Sequence, residues 1–332
     1  MKIAVDGFGG DKAPDEALKG CVWAVKEFGA KIVVTGDEKT LKSRFSKLGL
    51  SRENIEIAHA DGVIEIGDDP LEIRTVKANT SMGVAFGLVR KGEAEAFVSA
   101  GSTAALMVGG SMVIGRIKGV KRPALAPIMP SVTGNYILLD GGANVECRPE
   151  MILQFGIMGG VYAEKIMGIE RPRVGLLNVG AEEEKGRELE RGAYALLKAS
   201  SLNFIGNAEA RDVPLGVCDV IVSDGFTGNI YLKTVEGMGA FMKKSLKDLF
   251  GKNAATKAGY LLAKGGVRDM AAKTDYREIG GSPLLGTVKP VIKAHGSSDA
   301  KAFKNAIKQA KEFSDARAIN LMEKSLGAKE RS

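Results

Sequence analysis

The sequence predicts an α/β fold built on a three-layer, doubly wound and mostly parallel sheet. Short runs rich in Val and Ile alternate along the chain with longer amphipathic segments, as such a fold requires. Glycine is the second observation, because the chain has 43 glycines among 332 residues, well above the average of roughly 7%. A hydrophobic content of 45% allows a large buried core, which excludes a disordered chain.

The predicted strands are short and enriched in β-branched residues. They span residues 2–6, 31–35, 55–58, 96–99, 124–129, 136–139, 173–178, 203–206 and 219–223. Helices are predicted over 14–28 and 183–199, and one or two terminal helices over 298–328. In the first helix, Ala17, Cys21 and Ala24 fall on one face, and Pro14 suits an early helical position.

Five junctions repeat one pattern, in which a strand ends in Gly beside Asp, Asn or Ser and a helix follows. These junctions are residues 5–11, 98–103, 139–144, 178–182 and 222–229. Because the carboxyl ends of parallel strands form the ligand crevice of an open sheet, we expect these loops to share one edge. Glycine there permits either tight turns or the close approach of backbone to a small anion, and the recurrence favours the anion.

The commonest nucleotide and hydrolase motifs are absent from the sequence. Gly7 and Gly9 begin a dinucleotide fingerprint that fails at Lys12, and neither a P-loop nor a G-x-S-x-G elbow occurs. Two histidines cannot form a multi-His metal site, and both are expected to be structural. Three dispersed cysteines suggest a reducing compartment, and the first residues lack the features of a secretion signal. Phosphate or a carboxylate is the remaining natural ligand.

Two of the loops add reactive side chains. Lys185 follows three acidic residues at a predicted helix start, where it serves either to pair with an anion or to form a surface ion pair. The loop from Asp224 to Asn229 supplies a carboxylate, a hydroxyl and an amide within six residues. Asp224 is also a suitable cap for the next helix.

Two segments raise the question of a membrane. Residues 96–115 carry no formal charge, but their serines and glycines favour a buried strand, a loop and an apolar helix over a membrane span. Residues 241–280 hold nine Lys or Arg against four Asp or Glu and are predicted to form a basic, amphipathic helical hairpin. Residues 241–250 continue a helix that begins near Ile230, and Gly265-Gly266 is a possible end of the second helix.

Five ordered motifs resemble the phosphate acyltransferase family of bacterial phospholipid synthesis. They lie at residues 6–14, 99–107, 142–149, 177–186 and 223–229, so the resemblance covers nearly the whole chain. The sequence departs from the family pattern at Gly7, Phe8, Ser102, Ala104, Gly141 and Arg187.

The resemblance implies a single domain over residues 1–332, similar to phosphotransacetylases and isocitrate dehydrogenase-like folds. It further implies a homodimer without metal, organic cofactor or nucleic acid. Such an enzyme transfers a fatty acyl group from acyl carrier protein to inorganic phosphate, and a downstream membrane acyltransferase uses the acyl-phosphate. The implied location is cytoplasmic, with reversible attachment to the inner face of the membrane.

By the same resemblance, Lys185 stabilises anionic charge and Asn229 donates a hydrogen bond. The implied substrate pocket contains Ser102, Thr103, Asn144, Asp224 and Thr227. The basic segment would contact membrane or carrier protein through Lys257, Leu261, Leu262, Lys264 and Arg268, or else pack on a dimer partner. Two other functions stay open from the sequence: a short-chain phosphate acyltransferase that uses acyl-coenzyme A, and a non-enzymatic anion-binding or scaffolding protein.

Overall fold

The computed structural model describes residues 1–273 and 275–327, so residue 328, the end of the predicted tail, lies outside the described residues. The strands are β1 Lys2–Asp6, β2 Lys31–Gly36, β3 Ile55–His59, β4 Ala96–Ser99, β5 Ala124–Leu125, β6 Ile128–Ser131, β7 Gly134–Leu139, β8 Arg173–Asn178, β9 Asn203–Glu209, β10 Val220–Val222, β11 Gly281–Leu285 and β12 Val291–Ala294. The α-helices are α1 Asp15–Phe28, α2 Glu38–Lys47, α3 Ser81–Arg90, α4 Thr103–Val108, α5 Pro149–Lys165, α6 Glu188–Lys198, α7 Gly225–Gly251, α8 Ala254–Lys273, α9 Tyr276–Ile279, α10 Ala300–Asp315 and α11 Ala318–Gly327.

The strands form two sheets. Sheet one has seven strands in the order β3-β2-β1-β4-β12-β11-β5, and sheet two has five in the order β6-β7-β10-β8-β9. In sheet one, β11 runs antiparallel to both of its neighbours, and in sheet two β6 runs antiparallel to β7. The other pairs are parallel. The predicted α/β class is therefore confirmed, with strands divided between two sheets.

The single strand predicted over residues 124–129 is wrong. The chain leaves sheet one after Leu125 and enters sheet two at Ile128, with Pro127 between them. Proline has no N–H to donate to a strand ladder, so it suits the crossing between sheets. Sequence reasoning also missed β11 and β12, although β12 lies in the middle of sheet one.

One cluster of buried apolar residues includes strand residues from both sheets, such as Val5 of sheet one and Leu139 of sheet two. Helices α5 and α10 meet inside it, where the rings of Tyr162 and Phe313 pack edge to face at 5.4 Å. The Gln309 amide donates a 3.1 Å hydrogen bond to the Tyr162 hydroxyl, which satisfies that buried group. One or two terminal helices were predicted from the sequence, and the structure has two, α10 and α11.

The basic helical hairpin is confirmed, with α8 packed on the long helix α7. Helix α7 begins at Gly225 rather than near Ile230, and α8 continues through Gly265-Gly266, so that pair does not end it. Residues 96–115 form β4, α4 and a π-helical segment over Gly109–Ile114, in agreement with the buried interpretation. Among the described residues, no helix is both long enough and apolar enough to cross a bilayer.

Candidate active site

A buried aspartate organises the carboxyl edge of sheet two. Asp140 directly follows β7, and its carboxylate accepts hydrogen bonds of 2.6–3.1 Å from the backbone of Leu125, Gly142, Ala143 and Asn144 and from the Asn144 side chain. Burial raises the pKa of Asp140, while these hydrogen bonds act to lower it. Because Leu125 ends β5, the same carboxylate also links the two sheets.

The Asn144 side chain is directed at this carboxylate. Its side-chain nitrogen donates to the Asp140 carboxylate and to the carbonyl of Pro123, each at 2.8 Å. Both amide hydrogens therefore have partners within the protein. The structure gives Asn144, which was predicted to bind substrate, a role in holding the loop.

Asp224 caps helix α7, as the sequence predicted. Its carboxylate accepts a 2.7 Å hydrogen bond from the backbone of Thr227 and a 3.0 Å bond from the Thr227 hydroxyl. Gly225 and Gly228 bring the start of α7 against the Asp140 loop, since a Cβ on Gly228 would lie 2.0 Å from the Asp140 carbonyl oxygen. These contacts fix the first turn of α7 on the edge of sheet two.

Asn229 lies in that first turn with its side chain exposed. Its amide lies over Gly142, where a Cβ would be 3.2 Å from the Asn229 Cγ. Gly142 also has φ +131°, a conformation that residues with a side chain rarely adopt. The glycine therefore gives Asn229 room beside the Asp140 loop.

Lys185 lies in the loop that joins β8 to α6. Two asparagine side chains hold this loop: Asn178 donates to the Lys185 carbonyl at 3.1 Å, and Asn207 donates to the Glu182 carbonyl at 2.6 Å. The Asn178 amide also donates to the Asn207 side-chain oxygen at 3.1 Å. The Lys185 side chain is exposed, on a backbone that this network fixes.

The predicted helix start at residue 183 is wrong, because α6 begins at Glu188. The Arg187 backbone N–H donates to the Glu190 carboxylate at 2.7 Å, and this bond caps the N-terminus of α6. The helix therefore starts after Lys185, not before it. Gly186, with φ +93°, makes the turn between them. Lys185 is thus a loop residue, and the argument that the helix dipole disfavours it does not apply.

Arg187 joins this loop to the cap of α7. Its guanidinium donates to the Asp224 carboxylate at 2.5 Å and to both carboxylate oxygens of Glu190 at 3.1 Å. Burial would raise the pKa of Glu190, but the hydrogen bonds from Arg187 outweigh it and lower that pKa. Arg187 was not predicted as a site residue, and its departure from the family pattern was the one signal in the sequence.

Ser102 and Thr103 lie on sheet one, at the start of α4. The Ser102 hydroxyl caps this helix by accepting a 3.4 Å hydrogen bond from the Ala105 backbone, and its side chain is buried. Thr103 is half-buried in the first turn. The structure therefore brings Asn144, Asp224, Thr227 and Asn229 together on sheet two, and it places Ser102 and Thr103 on the other sheet.

The cysteines near this region are poor nucleophiles. Burial, with a smaller contribution from Asp140, raises the pKa of Cys147 to about 12. Burial likewise raises the pKa of Cys218 to about 12. Because the thiolate is the reactive form, both residues are expected to stay protonated at neutral pH.

The predicted contact residues of the basic segment lie on the outside of α8. Lys257, Leu261, Leu262, Lys264 and Arg268 are all exposed. Leu262 is 92% exposed and Leu261 is 70% exposed, which is unusual for leucine. Helix α8 thus presents an uncovered surface that is both apolar and basic.

Comparison with known proteins places the chain in a family. The profile of the family described as fatty acid synthesis protein matches residues 1–321. Proteins named phosphate acyltransferase match from Caldanaerobacter subterraneus, with 51% identity over 94% of this chain and 93% of the relative, and from Thermoanaerobacter pseudethanolicus, with 49% identity over 96% of each chain.

Solved structures bear on the fold. A phosphotransacetylase from Streptococcus pyogenes superposes with a TM-score of 0.64 at 19% identity, covering 96% of this chain and 94% of the other. A branched-chain phosphotransacylase from Enterococcus faecalis gives a TM-score of 0.58 at 14% identity, covering 95% and 99%. The predicted likeness to phosphotransacetylases is confirmed. Because the family profile and these relatives span nearly the whole sequence, the chain belongs to the phosphate acyltransferase family of fatty acid synthesis proteins.

Proposed function

We propose that the protein transfers a fatty acyl group from the thioester of acyl carrier protein to inorganic phosphate. The products would be free carrier thiol and an acyl-phosphate, which a membrane acyltransferase would consume in phospholipid synthesis. The relatives named phosphate acyltransferase support phosphate as the acceptor. The observation that carries the proposal is the hydrogen bond from Arg187 to Asp224, which joins the loop of Lys185 to the first turn of α7, where Asn229 lies, in a chain about half identical to those relatives.

The chemistry makes modest demands on the protein. An oxygen of phosphate attacks the thioester carbonyl, a tetrahedral oxyanion forms, and the carbon–sulfur bond breaks. A thiol with a pKa near 8.5 is a tolerable leaving group, so no strong acid is needed. The remaining tasks are to hold phosphate in line and to stabilise the oxyanion, which preorganised donors accomplish.

Lys185 and Asn229 fit these two tasks. The ammonium of Lys185 is exposed, and within the described residues no carboxylate forms a salt bridge with it. It can therefore pair with an incoming anion without first breaking an ion pair. Asn229 is exposed beside Gly142 and can donate from its amide. The cysteines are not required, since direct attack by phosphate needs no acyl-enzyme.

The charge of the hairpin supports a carrier-protein donor. Acyl carrier proteins are acidic, and residues 241–280 carry most of the excess of positive charge in this chain. A coenzyme A thioester, the donor in the alternative function, is also anionic through its phosphates, but it is small and would contact only a few of the basic residues spread over the hairpin.

One assay tests the donor and the acceptor together. Purified protein is incubated with phosphate and either a long-chain acyl carrier protein thioester or a short-chain acyl-coenzyme A, and free thiol and acyl-phosphate are measured. We expect thiol release that requires phosphate and is faster with the carrier protein. Preference for the coenzyme A thioester would establish the alternative, and an absence of thiol release with both donors would refute the proposal.

We also propose that the hairpin attaches the enzyme reversibly to an anionic membrane surface, in a homodimer. The exposed Leu261 and Leu262 with Lys257, Lys264 and Arg268 support the membrane contact. Exposed apolar residues on α7, including Met238 and Phe241, support the packing of a second copy of the chain against α7. Each basic residue near an anionic surface contributes about 1 kcal/mol to binding, so three together would strengthen membrane binding on the order of a hundredfold.

Vesicle sedimentation tests the membrane contact. Replacing Lys257, Lys264 and Arg268 by Gln should reduce binding to vesicles that contain anionic lipid by on the order of a hundredfold. Replacing the exposed lysines Lys39, Lys47 and Lys91, which lie outside the hairpin, is the matched control and should leave binding unchanged. Equal vesicle binding by the wild type and the hairpin variant would eliminate the membrane contact.

A further inference from the structure

A short basic loop, residues 115–122, lies between the π-helical segment and β5. It contains Arg116, Lys118, Lys121 and Arg122 and no acidic residue. All four side chains are exposed, and none forms a salt bridge with a carboxylate of the described residues. The basic loop therefore presents four uncompensated positive charges to solvent.

The rest of the fold holds the backbone of the basic loop in place. Ile117 and Val120 turn inward and are buried, which leaves the basic residues outside. The Ile117 N–H donates to the carbonyl of Gly286, just beyond β11, at 2.9 Å. Gln154 of α5 accepts from the Lys121 N–H at 2.9 Å, and its amide donates back to the loop backbone at 2.8 Å. A surface fixed in this way loses little conformational entropy when a partner binds.

Direct hydrogen bonds join the basic loop to the candidate active site. Pro123 follows Arg122, and its carbonyl accepts from the Asn144 side chain at 2.8 Å. The Asn144 carbonyl in turn accepts from the Gly225 N–H at 2.7 Å, in the first turn of α7, where Asn229 lies. Two hydrogen bonds therefore connect the end of the basic loop with the helical turn that carries Asn229.

An exposed apolar residue flanks these charges. Val288, in the turn between β11 and β12, is 41% exposed, and its N–H donates to the carbonyl of Gly115 at 3.1 Å. In the same turn, Thr287 pairs with Arg116 in an isolated β-bridge. Charged residues around an apolar contact match the polar rim and apolar centre of a protein–protein interface.

The charge and the position of the basic loop suit the acyl donor of the proposed function. Acyl carrier protein is acidic and delivers its thioester on a long flexible arm, so its docking surface must lie beside the reacting groups and not on top of them. The basic loop lies beside the first turn of α7. The tip of the hairpin is farther away, because Gly251 lies about 33 Å along α7 from Asn229 at the helical rise of 1.5 Å per residue.

We propose that the basic loop is the docking surface for acyl carrier protein, and that Lys118, Lys121 and Arg122 pair with carboxylates of the carrier. The proposal rests on the proposed function, in which this carrier is the acyl donor. Opposite charges speed the encounter of the two proteins and set the orientation in which the arm enters the site. The hairpin is then left free to contact the membrane.

The test removes three charges from the basic loop by combining Lys118→Gln, Lys121→Gln and Arg122→Gln. Thiol release is measured against the concentration of acyl carrier protein thioester at saturating phosphate. We expect kcat/KM for the carrier to fall on the order of tenfold at low salt, since each exposed ion pair contributes little alone. The loss should lie in KM for the carrier, while KM for inorganic phosphate stays within about twofold. Added salt should lower the wild-type kcat/KM and narrow the difference between the two proteins.

Two further variants serve as controls. Replacing Lys39, Lys47 and Lys91 by Gln removes the same charge elsewhere on the surface and should leave kcat/KM for the carrier unchanged. In the second control, the two lysines of the basic loop become Arg and Arg122 becomes Lys, which keeps the charge and should preserve most of kcat/KM. Tm should stay near the wild-type value, because the replaced side chains are exposed. If the triple Gln variant is unstable, the single reversal Lys118→Glu decides, with a loss in the same direction.

An unchanged kcat/KM for the carrier in the loop variant would overturn the proposal, as would an equal loss in either control. A rise confined to KM for phosphate would refute docking and make the loop part of the phosphate site. A larger loss after replacing Lys257, Lys264 and Arg268 by Gln would place the carrier on the hairpin instead. Loss of vesicle binding with an unchanged KM for the carrier would make the loop a membrane contact and also refute docking. A wild type that releases no thiol from the carrier thioester would refute the proposed function instead.

Discussion

The two sheets bury an aspartate in the same sequence context and use it differently. Asp6 is the last residue of β1 and Asp140 directly follows β7, and each precedes a glycine. Burial raises the pKa of both. Asp6 accepts hydrogen bonds from the Ser99 hydroxyl at 2.7 Å and the Phe8 backbone at 3.1 Å. Asp140 accepts five N–H hydrogen bonds from its own loop and from β5.

The comparison shows that these carboxylates anchor loops, and under the proposed function the chemistry belongs to exposed residues nearby. A buried carboxylate surrounded by donors is already satisfied and has no capacity left for a substrate. On sheet two, Lys185 is exposed in a loop that Asn178 and Asn207 hold, and Asn229 is exposed in the first turn of α7 beside the Asp140 loop. The same local motif is therefore a scaffold on both edges.

The largest difference between the edges should appear in stability. Asp140→Ala leaves more buried or partly buried donors without a partner than Asp6→Ala does, and a fully buried donor left unpaired costs about 1–3 kcal/mol. We expect both variants to be destabilised in urea unfolding, with the larger decrease in the free energy of unfolding for Asp140→Ala. Equal decreases would show that the additional hydrogen bonds of Asp140 carry no net stability.

Lys185→Ala should give the next largest effect, seen in activity and not in folding. Loss of the ammonium removes the compensating charge for the anion, so phosphate-dependent thiol release should fall on the order of 10²-fold or more, with Tm unchanged. Lys198→Ala is the control, because Lys198 is exposed at the end of α6 and pairs with Glu183 at 2.7 Å. A near-normal rate for Lys185→Ala would remove Lys185 from the mechanism.

The smallest effect is expected for Arg187, which positions the Lys185 loop and takes no part in the reaction itself. Arg187→Ala should reduce kcat/KM about tenfold, because the Lys185 loop is no longer tied to Asp224, and Arg187→Lys should recover part of the loss. The side chain of Arg187 is 61% exposed, so a large effect on stability is not expected.

Arg173 is the matched control for Arg187. It forms a similar pair with Asp219 at 2.9 Å, but at the beginning of β8 instead of beyond its end. Arg173→Ala should keep the wild-type kcat/KM. If the two alanine variants lose activity equally, the pair between Arg187 and Asp224 has no special role at the site.

The glycines at the strand ends were visible in the sequence, but their role was not. The recurrence of glycine at the strand ends favoured the prediction that these residues let the backbone approach a small anion. In the structure, the protein itself fills the space: a Cβ on Gly9 would lie 2.6 Å from the Asp6 carboxylate, and one on Gly225 would lie 2.6 Å from the Asn144 carbonyl oxygen. Contacts between loops account for these glycines, and anion binding stays a prediction.

The sequence by itself determined the α/β class, the extent of α1, the cap at Asp224 and the family motifs. These features depend on periodicity and on hydrogen bonds between residues a few positions apart, which a linear reading contains. Only the tertiary structure decided the division into two sheets, the place of β12 inside sheet one, and the contact of Arg187 with Asp224. These contacts join residues far apart in the chain, and they form only when burial of the shared core brings the strands together.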